Sequence, residues 1–391
     1  MTELLITLLV ASFVAIALYF LFTSNSRVFF LQERIAQSQA STRFVLETIS
    51  ADLRRAGYLA TPNSTSDKNL CAGSPVGGAS SPIRGISIAD GVDQSVVNMN
   101  TVNTNIKPDR VTIAANFRSS EKYRAKVNGT TVTLCGTDDT HPLCVGSPTT
   151  STAFNNLFAP NMFLRVEDTI GKYQFAVITV VAWNAGTKAS PPTITISAAP
   201  STSCGFHGGD MAEDAFVNPV EYIRYRIETP TNLGCATDPK NRILIRERLD
   251  SAGNPYSPSN YWMIADNMVD LQVWADLDTG AGGGDSVIPA NPNPYNHRGN
   301  EDNNPIAGAD ETAKVNLNPH LARTVHVAIA IRAPSEVPNY AFTARPVNNL
   351  NAIGEYYGPI TSMALSDAGA APVQTLTLEA VLENFFYGWY Y

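Results

Sequence analysis

The sequence predicts an α+β protein in which one long N-terminal α-helix packs on an antiparallel β-sheet head with long loops. Residues 1–57 keep a helical pattern, with no Pro or Gly before Gly57. Beyond residue 58, short stretches rich in Val, Ile, Thr and aromatic residues recur, and several alternate apolar with polar positions. Polar stretches rich in Gly, Asn and Pro separate them. We therefore expect a helix over 1–57 and a β-rich head over 58–391.

The composition of the chain excludes several classes of function. Only 16% of its 391 residues are charged, and it contains 26 Gly and 25 Pro, which is typical of a body rich in β-strands and loops. The net charge of −8 makes nucleic acid an unexpected partner. Five cysteines without a CxxC pair and five scattered histidines do not support a zinc site, and we expect no cofactor.

The first third of the helix is almost purely apolar. Leu4 to Phe22 is uncharged and long enough to cross a hydrocarbon core of about 30 Å, and Glu3 lies at its start. A signal peptide is the alternative, but its apolar core is shorter, about 7–15 residues, and follows basic residues. Neither those basic residues nor a small-residue cleavage motif is present, so we expect the segment to be retained.

The second part of the predicted helix, from about Thr23 to Ala56, is amphipathic. Apolar or small residues recur every three or four positions and form one stripe along the helix. They are Val28, Leu31, Ile35, Ser38, Thr42, Val45, Ile49, Leu53 and Ala56. We expect the stripe to pack on the head from Val45 to Ala56, and Gly57 to cap the helix.

Candidate strands without intervening helices indicate an antiparallel sheet with one buried face. They are Arg110–Ala115, Thr131–Cys135, Phe175–Trp183, Thr193–Ser197, Val220–Ile227, Arg242–Leu249, Met268–Leu277, Thr324–Arg332 and Thr375–Leu382. In Thr324–Arg332, Val325, Val327, Ile329 and Ile331 share one face. Residues 279–320 form a Gly/Asn/Pro-rich insertion, and long irregular insertions of this kind are either functional or disordered.

Three groups of residues resemble the type IV pilins, and more narrowly the PilW-type minor pilins. The first is Thr2-Glu3-Leu4-Leu5 at the start of an apolar helix, and the second is the helix ending Asp52-Leu53-Arg54-Arg55-Ala56-Gly57-Tyr58. The third is a series of strands in the head, containing Val220–Tyr225, then Leu244–Glu247, then Asn267–Val273. The N-terminal 58 residues match well and the middle of the chain matches in patches.

The resemblance implies a ladle-shaped pilin fold and a non-enzymatic filament subunit. It implies a minor pilin that primes assembly or lies near the tip, where it could present an adhesin. Other pilins would bind through residues 1–30, with Glu3 meeting the terminal amine of a neighbouring subunit and Met1 as the methylated N-terminal residue. The protein would lie in the inner membrane before assembly and in an extracellular pilus afterwards, with residues 279–320 as the outward recognition surface.

Three other functions remain open on the sequence. The chain could be the main repeating subunit of a bulky pilus-like filament, or a pseudopilin of a type II secretion machine. It could also be a membrane-anchored enzyme or binding protein, although no nucleophile-elbow, metalloprotease or P-loop motif is present.

The cysteines are expected to form disulfides, because an exported head lies in an oxidising space. We favour Cys135–Cys144, which brackets a short loop, and Cys204–Cys235. Cys71 is then either free or displaces one of these partners, since spacing does not determine connectivity.

Three aspartates and one histidine in the head are of types that occur in metal-binding or catalytic sites. Asp276, Asp278 and Asp285 surround a Gly-rich loop and could ligate Ca²⁺, but they lack the EF-hand spacing and its closing Glu. We therefore expect solvated loop acids and no metal. We expect His326 to be a surface residue on the outward face of its strand.

Overall fold

The computed structural model describes residues 2–71, 82–89, 108–134, 148–187, 190–201, 215–229, 242–256, 261–277, 315–332, 337–338, 362–366 and 369–387. Within these residues the chain is an α+β protein with a long N-terminal helix and two antiparallel sheets. The helices are α1 (Thr2–Arg54), α2 (Pro148–Leu157) and α3 (Glu383–Tyr387). The strands are β1 (Ile86–Ala89), β2 (Arg110–Ala115), β3 (Tyr123–Asn128), β4 (Thr131–Leu134), β5 (Phe163–Glu167), β6 (Tyr173–Ala182), β7 (Thr193–Ile196), β8 (Ala215–Glu228), β9 (Ile243–Leu249), β10 (Tyr261–Ala265), β11 (Met268–Leu277), β12 (Ala322–Arg332), β13 (Val337–Pro338), β14 (Ser362–Ser366) and β15 (Gly369–Val381).

Helix α1 is a single rod of 53 residues, roughly 80 Å long at 1.5 Å per residue. Its C-terminal part packs on the head through the predicted stripe, which confirms burial of Val45, Ile49 and Leu53. Packing begins earlier than predicted, because Ser38 and Thr42 are also buried. Their hydroxyls donate to the carbonyl oxygens of Ile35 and Ser38 at 2.9 and 2.6 Å, so burial leaves neither without a partner.

Six strands of the larger sheet close into an antiparallel barrel in the order β8-β3-β4-β7-β6-β5, with β5 pairing back to β8. The barrel is filled by apolar side chains from every strand, and α2 contributes Phe154 to this core, followed by Phe158 just after the helix. The two rings lie 5.4 Å apart, and Tyr123 packs edge-on against Phe158.

Strand β8 belongs to two structures at once. Its first half, Ala215 to Val220, pairs with β3 and β5 in the barrel. From Glu221 onward it pairs with β2 and β9, and together with β1 and β10 these form an open extension of the same sheet. The 14-residue strand thus links the barrel to the part of the head that carries the helix.

The smaller sheet has the order β11-β12-β15-β13, with β14 also paired to β15. Helix α1 packs chiefly against β15 and β12. Its buried stripe shares one hydrophobic core with the inner face of this sheet and with β1, β2, β8 and β9 of the larger sheet. Both sheets therefore contribute to holding the C-terminal half of the helix.

All nine predicted strands are present, with ends that differ by a few residues except in β8 and β15, which begin earlier. Val325, Val327, Ile329 and Ile331 face the core as expected. The strands divide between two antiparallel sheets, and one of these partly closes on itself, which the sequence does not predict. Sequence periodicity reports which face is buried and carries no information on which strands pair.

Most of the predicted insertion, residues 279–314, lies outside the described residues. Its last residues, 315–320, are described and contact the head. The Asn316 side chain makes the two hydrogen bonds to Ile88 that a neighbouring strand would make at the edge of β1. Its Oδ1 accepts from the Ile88 backbone N–H at 2.9 Å, and its Nδ2 donates to the Ile88 carbonyl at 2.6 Å. This side chain therefore covers part of the free edge of β1.

Candidate functional site

The N-terminal half of α1 is an exposed apolar surface. Its most hydrophobic 18-residue window has a mean hydropathy of 2.7, and none of that window is buried by the rest of the protein. Large side chains from Leu4 to Phe22 are between about one half and two thirds exposed. By length and composition this segment can cross a membrane, since 19 residues span about 28 Å.

The Thr and Ser side chains within this segment and at its far end are satisfied by the helix itself. Thr7 donates to the Leu4 carbonyl at 2.9 Å and Ser12 donates to the Leu9 carbonyl at 2.7 Å. Thr23, at the far end, donates to the carbonyls of Tyr19 and Phe20. No hydroxyl of these three therefore needs water, which makes the surface suitable for lipid or for other apolar helices.

Glu3 lies in the first turn of α1 and is exposed. A carboxylate at this position interacts favourably with the free N–H groups and the dipole at the start of a helix. Met1, the other residue predicted to act in assembly, lies outside the described residues.

The other end of α1 is fixed to the head by a cluster of charged and polar groups. Asp52 Oδ2 accepts from the Tyr225 hydroxyl and from Arg246 Nε, both at 2.6 Å. Tyr225 lies on β8, directly opposite Arg246 on β9. The side chains of Asp52 and Arg246 are 13% and 9% exposed, so the ion pair is largely shielded from solvent. We call these three residues the Asp52 clamp.

Burial shapes the protonation of the Asp52 clamp. It raises the pKa of Tyr225, and the negative charge of Asp52 raises it further, so the hydroxyl keeps the proton that it donates. Burial acts to lower the pKa of Arg246, but the hydrogen bond and the charge of Asp52 outweigh burial and the pKa is raised overall. Tyr225 therefore keeps its proton and Arg246 keeps its charge at ordinary pH.

The end of α1 is also capped by a residue from the far end of the chain. Asn384 Nδ2 donates to the Arg54 carbonyl at 2.9 Å and to the Ala56 carbonyl at 3.2 Å, which satisfies two of the free carbonyls at a helix C-terminus. Gly57 follows with a φ of +73°, and the buried ring of Phe385 lies against it. The Phe385 side chain is thus buried against the end of α1.

The residues after the helix fasten a neighbouring loop. Arg55 donates to the Asn116 carbonyl at 2.8 Å, and the Tyr58 hydroxyl donates to the Ser120 carbonyl at 2.8 Å. Nearly every residue from Asp52 to Tyr58 therefore makes a specific contact with the head. Three segments that are distant in the sequence converge here, since the clamp takes Asp52 from the helix ending, Tyr225 from Val220–Tyr225 and Arg246 from Leu244–Glu247.

The predicted disulfide partners Cys135, Cys144, Cys204 and Cys235 lie outside the described residues. Cys71 is described, and it is disulfide-bonded. This excludes the alternative of a free Cys71.

The acids considered for calcium are only partly described, since Asp278 and Asp285 lie outside the described residues. Asp276 contacts Thr324 and His326, and the distance from His326 Nε2 to Asp276 Oδ2 is 2.8 Å. His326 also stacks on Trp274, with 5.1 Å between ring centroids. Across the described ranges, no three His, Cys, Asp or Glu side chains are grouped to hold a metal ion.

Sequence reasoning missed the Asp52 clamp and the Asn384 cap. Each of the three clamp residues stood in a segment already singled out, but nothing in the sequence pairs them. The available signal was an acid beside the buried stripe of α1, together with a Tyr and an Arg on strands whose neighbours are apolar.

Fold and site together define an α+β protein in which half of one helix can cross a membrane and the other half is fixed to a β head. No protein-family model, curated protein or solved structure matches this chain.

Proposed function

We propose that this chain is a structural subunit of a type IV pilus, and specifically a minor pilin that primes assembly or lies near the tip. Its helix and head would then form the ladle-shaped pilin fold. The observation that carries the proposal is a single 53-residue helix with two opposite environments. One half is apolar and uncovered, and the other half is built into the core of the head.

The exposed half suits two successive environments. In the membrane, lipid would cover Leu4 to Phe22, and in a filament the same surface would be covered by the corresponding helices of neighbouring subunits. Both environments exclude water, and a carboxylate is costly there unless it is paired. Glu3 would meet this cost by pairing with the terminal amine of an adjacent subunit.

The Asp52 clamp supports this use of the helix, because a filament needs each head to keep its orientation on the rod. An anchor for an independent enzyme has no such requirement, and a flexible linker between membrane span and head would serve it. Here no linker intervenes, since α1 runs unbroken from the apolar segment into the core.

The experiment is to follow incorporation of Glu3→Gln into sheared filaments, with Glu33→Gln as the matched control. Glu33 is an exposed acid on the same helix, beyond the apolar segment. We expect Glu3→Gln to remain in the membrane fraction and Glu33→Gln to reach filaments normally. Equal incorporation of both variants would contradict the pairing of Glu3.

A further inference from the structure

Strand β10 is an uncharged edge strand with exposed apolar side chains on both faces. Its sequence is Tyr-Trp-Met-Ile-Ala, and among the described residues it pairs with β9 alone. Trp262 is 58% exposed and Met263, which points to the opposite face, is 62% exposed. Edge strands are usually protected by charges or Pro, and β10 has neither.

Trp262 is the outer end of a ladder in which arginine and aromatic side chains alternate. The guanidinium of Arg246 lies 4.8 Å from the Trp262 ring centroid, and that of Arg248 lies 5.7 Å from it. On the other side, Arg246 and Arg55 lie 5.8 and 5.6 Å from the ring of Phe117. The rings hold the guanidinium groups in place, which lowers the entropy cost of using them to bind a ligand.

The ladder leads from β10 into an open cleft of about 570 Å³ at the end of α1. Arg54, Arg55 and Arg118 line this cleft, with Glu383 as the acid among its described lining residues. Arg54 is exposed and makes no ion pair within the described part of the chain. The carboxylates that pair with Arg246 and Arg248 are Asp52 and Glu221, whose side chains are 13% and 0% exposed.

The cluster therefore exposes Trp262, Arg54 and part of Arg248, whose side chain is 31% exposed. Its carboxylates lie beneath them, in a protein whose net charge is −8. Guanidinium groups recognise carboxylates through charge-assisted hydrogen bonds, while the free edge of β10 offers backbone N–H and C=O groups to another strand. Exposed Trp and Met supply the apolar anchors that such interfaces use.

We infer that β10 and the adjoining arginine ladder form a docking site for an extended acidic segment of a partner protein, which adds to the sheet as a strand beside β10. Its backbone pairs with β10, an apolar side chain contacts Trp262, and carboxylates contact Arg248, Arg54 and Arg55. A second copy of this chain is a poorer occupant, because pairing β10 with itself would bring two arginine ladders together. The inference does not depend on the filament role.

The experiment uses the full chain in detergent micelles and a fluorescein-labelled octapeptide of alternating Val and Asp as the probe. Binding is measured by fluorescence polarisation, and protection of the backbone is measured by hydrogen exchange. We expect saturable binding that weakens with added salt, and slower amide exchange over residues 261–265 in the complex. The same peptide N-methylated at alternate residues keeps its charge but cannot pair with a strand, and we expect it not to bind.

Two pairs of variants locate the site. Trp262→Ala is expected to weaken binding about tenfold, as the loss of an interface anchor does, whereas Val180→Ala on β6, which is 54% exposed, should have no effect. Arg54→Gln is expected to weaken binding about threefold or more, by analogy with other charge-assisted contacts. Arg43→Gln, an exposed arginine on the same helix, should leave binding unchanged.

Several results would overturn the inference. One is that the acidic octapeptide does not bind. Another is that an alternating Val–Lys octapeptide, or the N-methylated peptide, binds as tightly as the acidic octapeptide. The inference would also be overturned if the peptide bound without slowing amide exchange over residues 261–265. The same holds if Trp262→Ala and Arg54→Gln both bound the peptide as tightly as the unmodified chain. Self-association through β10 in sedimentation experiments, or tighter binding of single-stranded oligo-dT than of the acidic peptide, would overturn it as well.

Discussion

At the scale of single residues, Asp52 joins three elements that are far apart in the sequence. It binds Tyr225, 173 positions later, and Arg246, 194 positions later. Both contacts are short and shielded from solvent, so the loss of the carboxylate leaves a buried guanidinium without its charge partner. Removing one partner of a buried pair costs more than the pair contributes, because the remaining charge stays desolvated.

We predict that Asp52→Ala lowers the free energy of unfolding by about 3 kcal/mol. Tyr225→Phe, which removes one hydrogen bond to a charged group, should cost about 2 kcal/mol. Glu47→Ala is the control, since Glu47 is an exposed acid on the same helix, and should change stability by less than about 0.5 kcal/mol. Urea unfolding of the full chain in micelles, followed by tryptophan fluorescence, measures all three. Equal stability of Asp52→Ala and Glu47→Ala would contradict the clamp.

The pair of His326 and Asp276 makes stability depend on pH. The hydrogen bond that His326 donates to Asp276 raises the pKa of His326 above its ordinary value of 6.5. Although burial opposes the shift, the hydrogen bonds of His326 and Thr324 lower the pKa of Asp276 below its ordinary value of 3.8. The stabilisation from His326 is therefore complete below pH 6.5 and is lost as the pH rises through the raised pKa, while that from Asp276 is present above 3.8.

We predict that His326→Gln destabilises the protein more at about pH 5.5, where both groups are charged, than at about pH 9, where His326 is neutral. Unfolding in urea at the two pH values measures the difference. A cost that is the same at both pH values would show that the contact does not act through charge. The sequence indicates a surface position for His326 and does not pair it with Asp276, because the two side chains meet only across the β11–β12 pairing.

At the scale of elements, the end of α1 depends on Gly57 for two separate reasons. Its φ of +73° is a conformation that residues with a Cβ adopt at a cost, and a Cβ would lie 2.8 Å from the Phe385 ring. Gly253 isolates the first reason, because its φ is +84° and nothing lies within 4 Å of an added Cβ.

We predict that Gly57→Ala is more destabilising than Gly253→Ala. The shared backbone strain is worth about 1 kcal/mol, and Gly57→Ala adds displacement of the Phe385 ring. The melting temperatures of the two variants measure the difference. If both melting temperatures fall equally, the contact between Gly57 and Phe385 does not contribute to the stability of the helix end.

The elements that the sequence predicted share long apolar or alternating stretches, as in β2, β11 and β12. Of the strands that the sequence did not predict, β3 and β5 carry charges. Strand β5 reads Phe-Leu-Arg-Val-Glu, and its Arg165 and Glu167 form an ion pair at 2.7 Å. Such a pairing neutralises the charges only after the strand forms. The local sequence pattern therefore underestimates the tendency of these segments to form strands.

At the scale of the whole molecule, the C-terminal half of the rod is built into a head made of two sheets. The α+β class and the burial of the helix stripe followed from periodicity, because both depend on which residues avoid water. Closure of the barrel depends on β8 pairing with β3 and β5 at once, and the clamp depends on contacts that span 173 and 194 positions. These features depend on global packing, which no local window of sequence contains.

The head is therefore expected to keep one orientation on the helix, and a filament built from the exposed apolar segments would display every head at its surface. The most direct test of this account is immunogold labelling of sheared filaments with an antibody raised against the head. We predict gold at one end of the filaments, as a minor subunit near the tip requires. Labelling along the whole length would contradict the minor role, and filaments without gold, with the protein left in the membrane, would contradict the filament role itself.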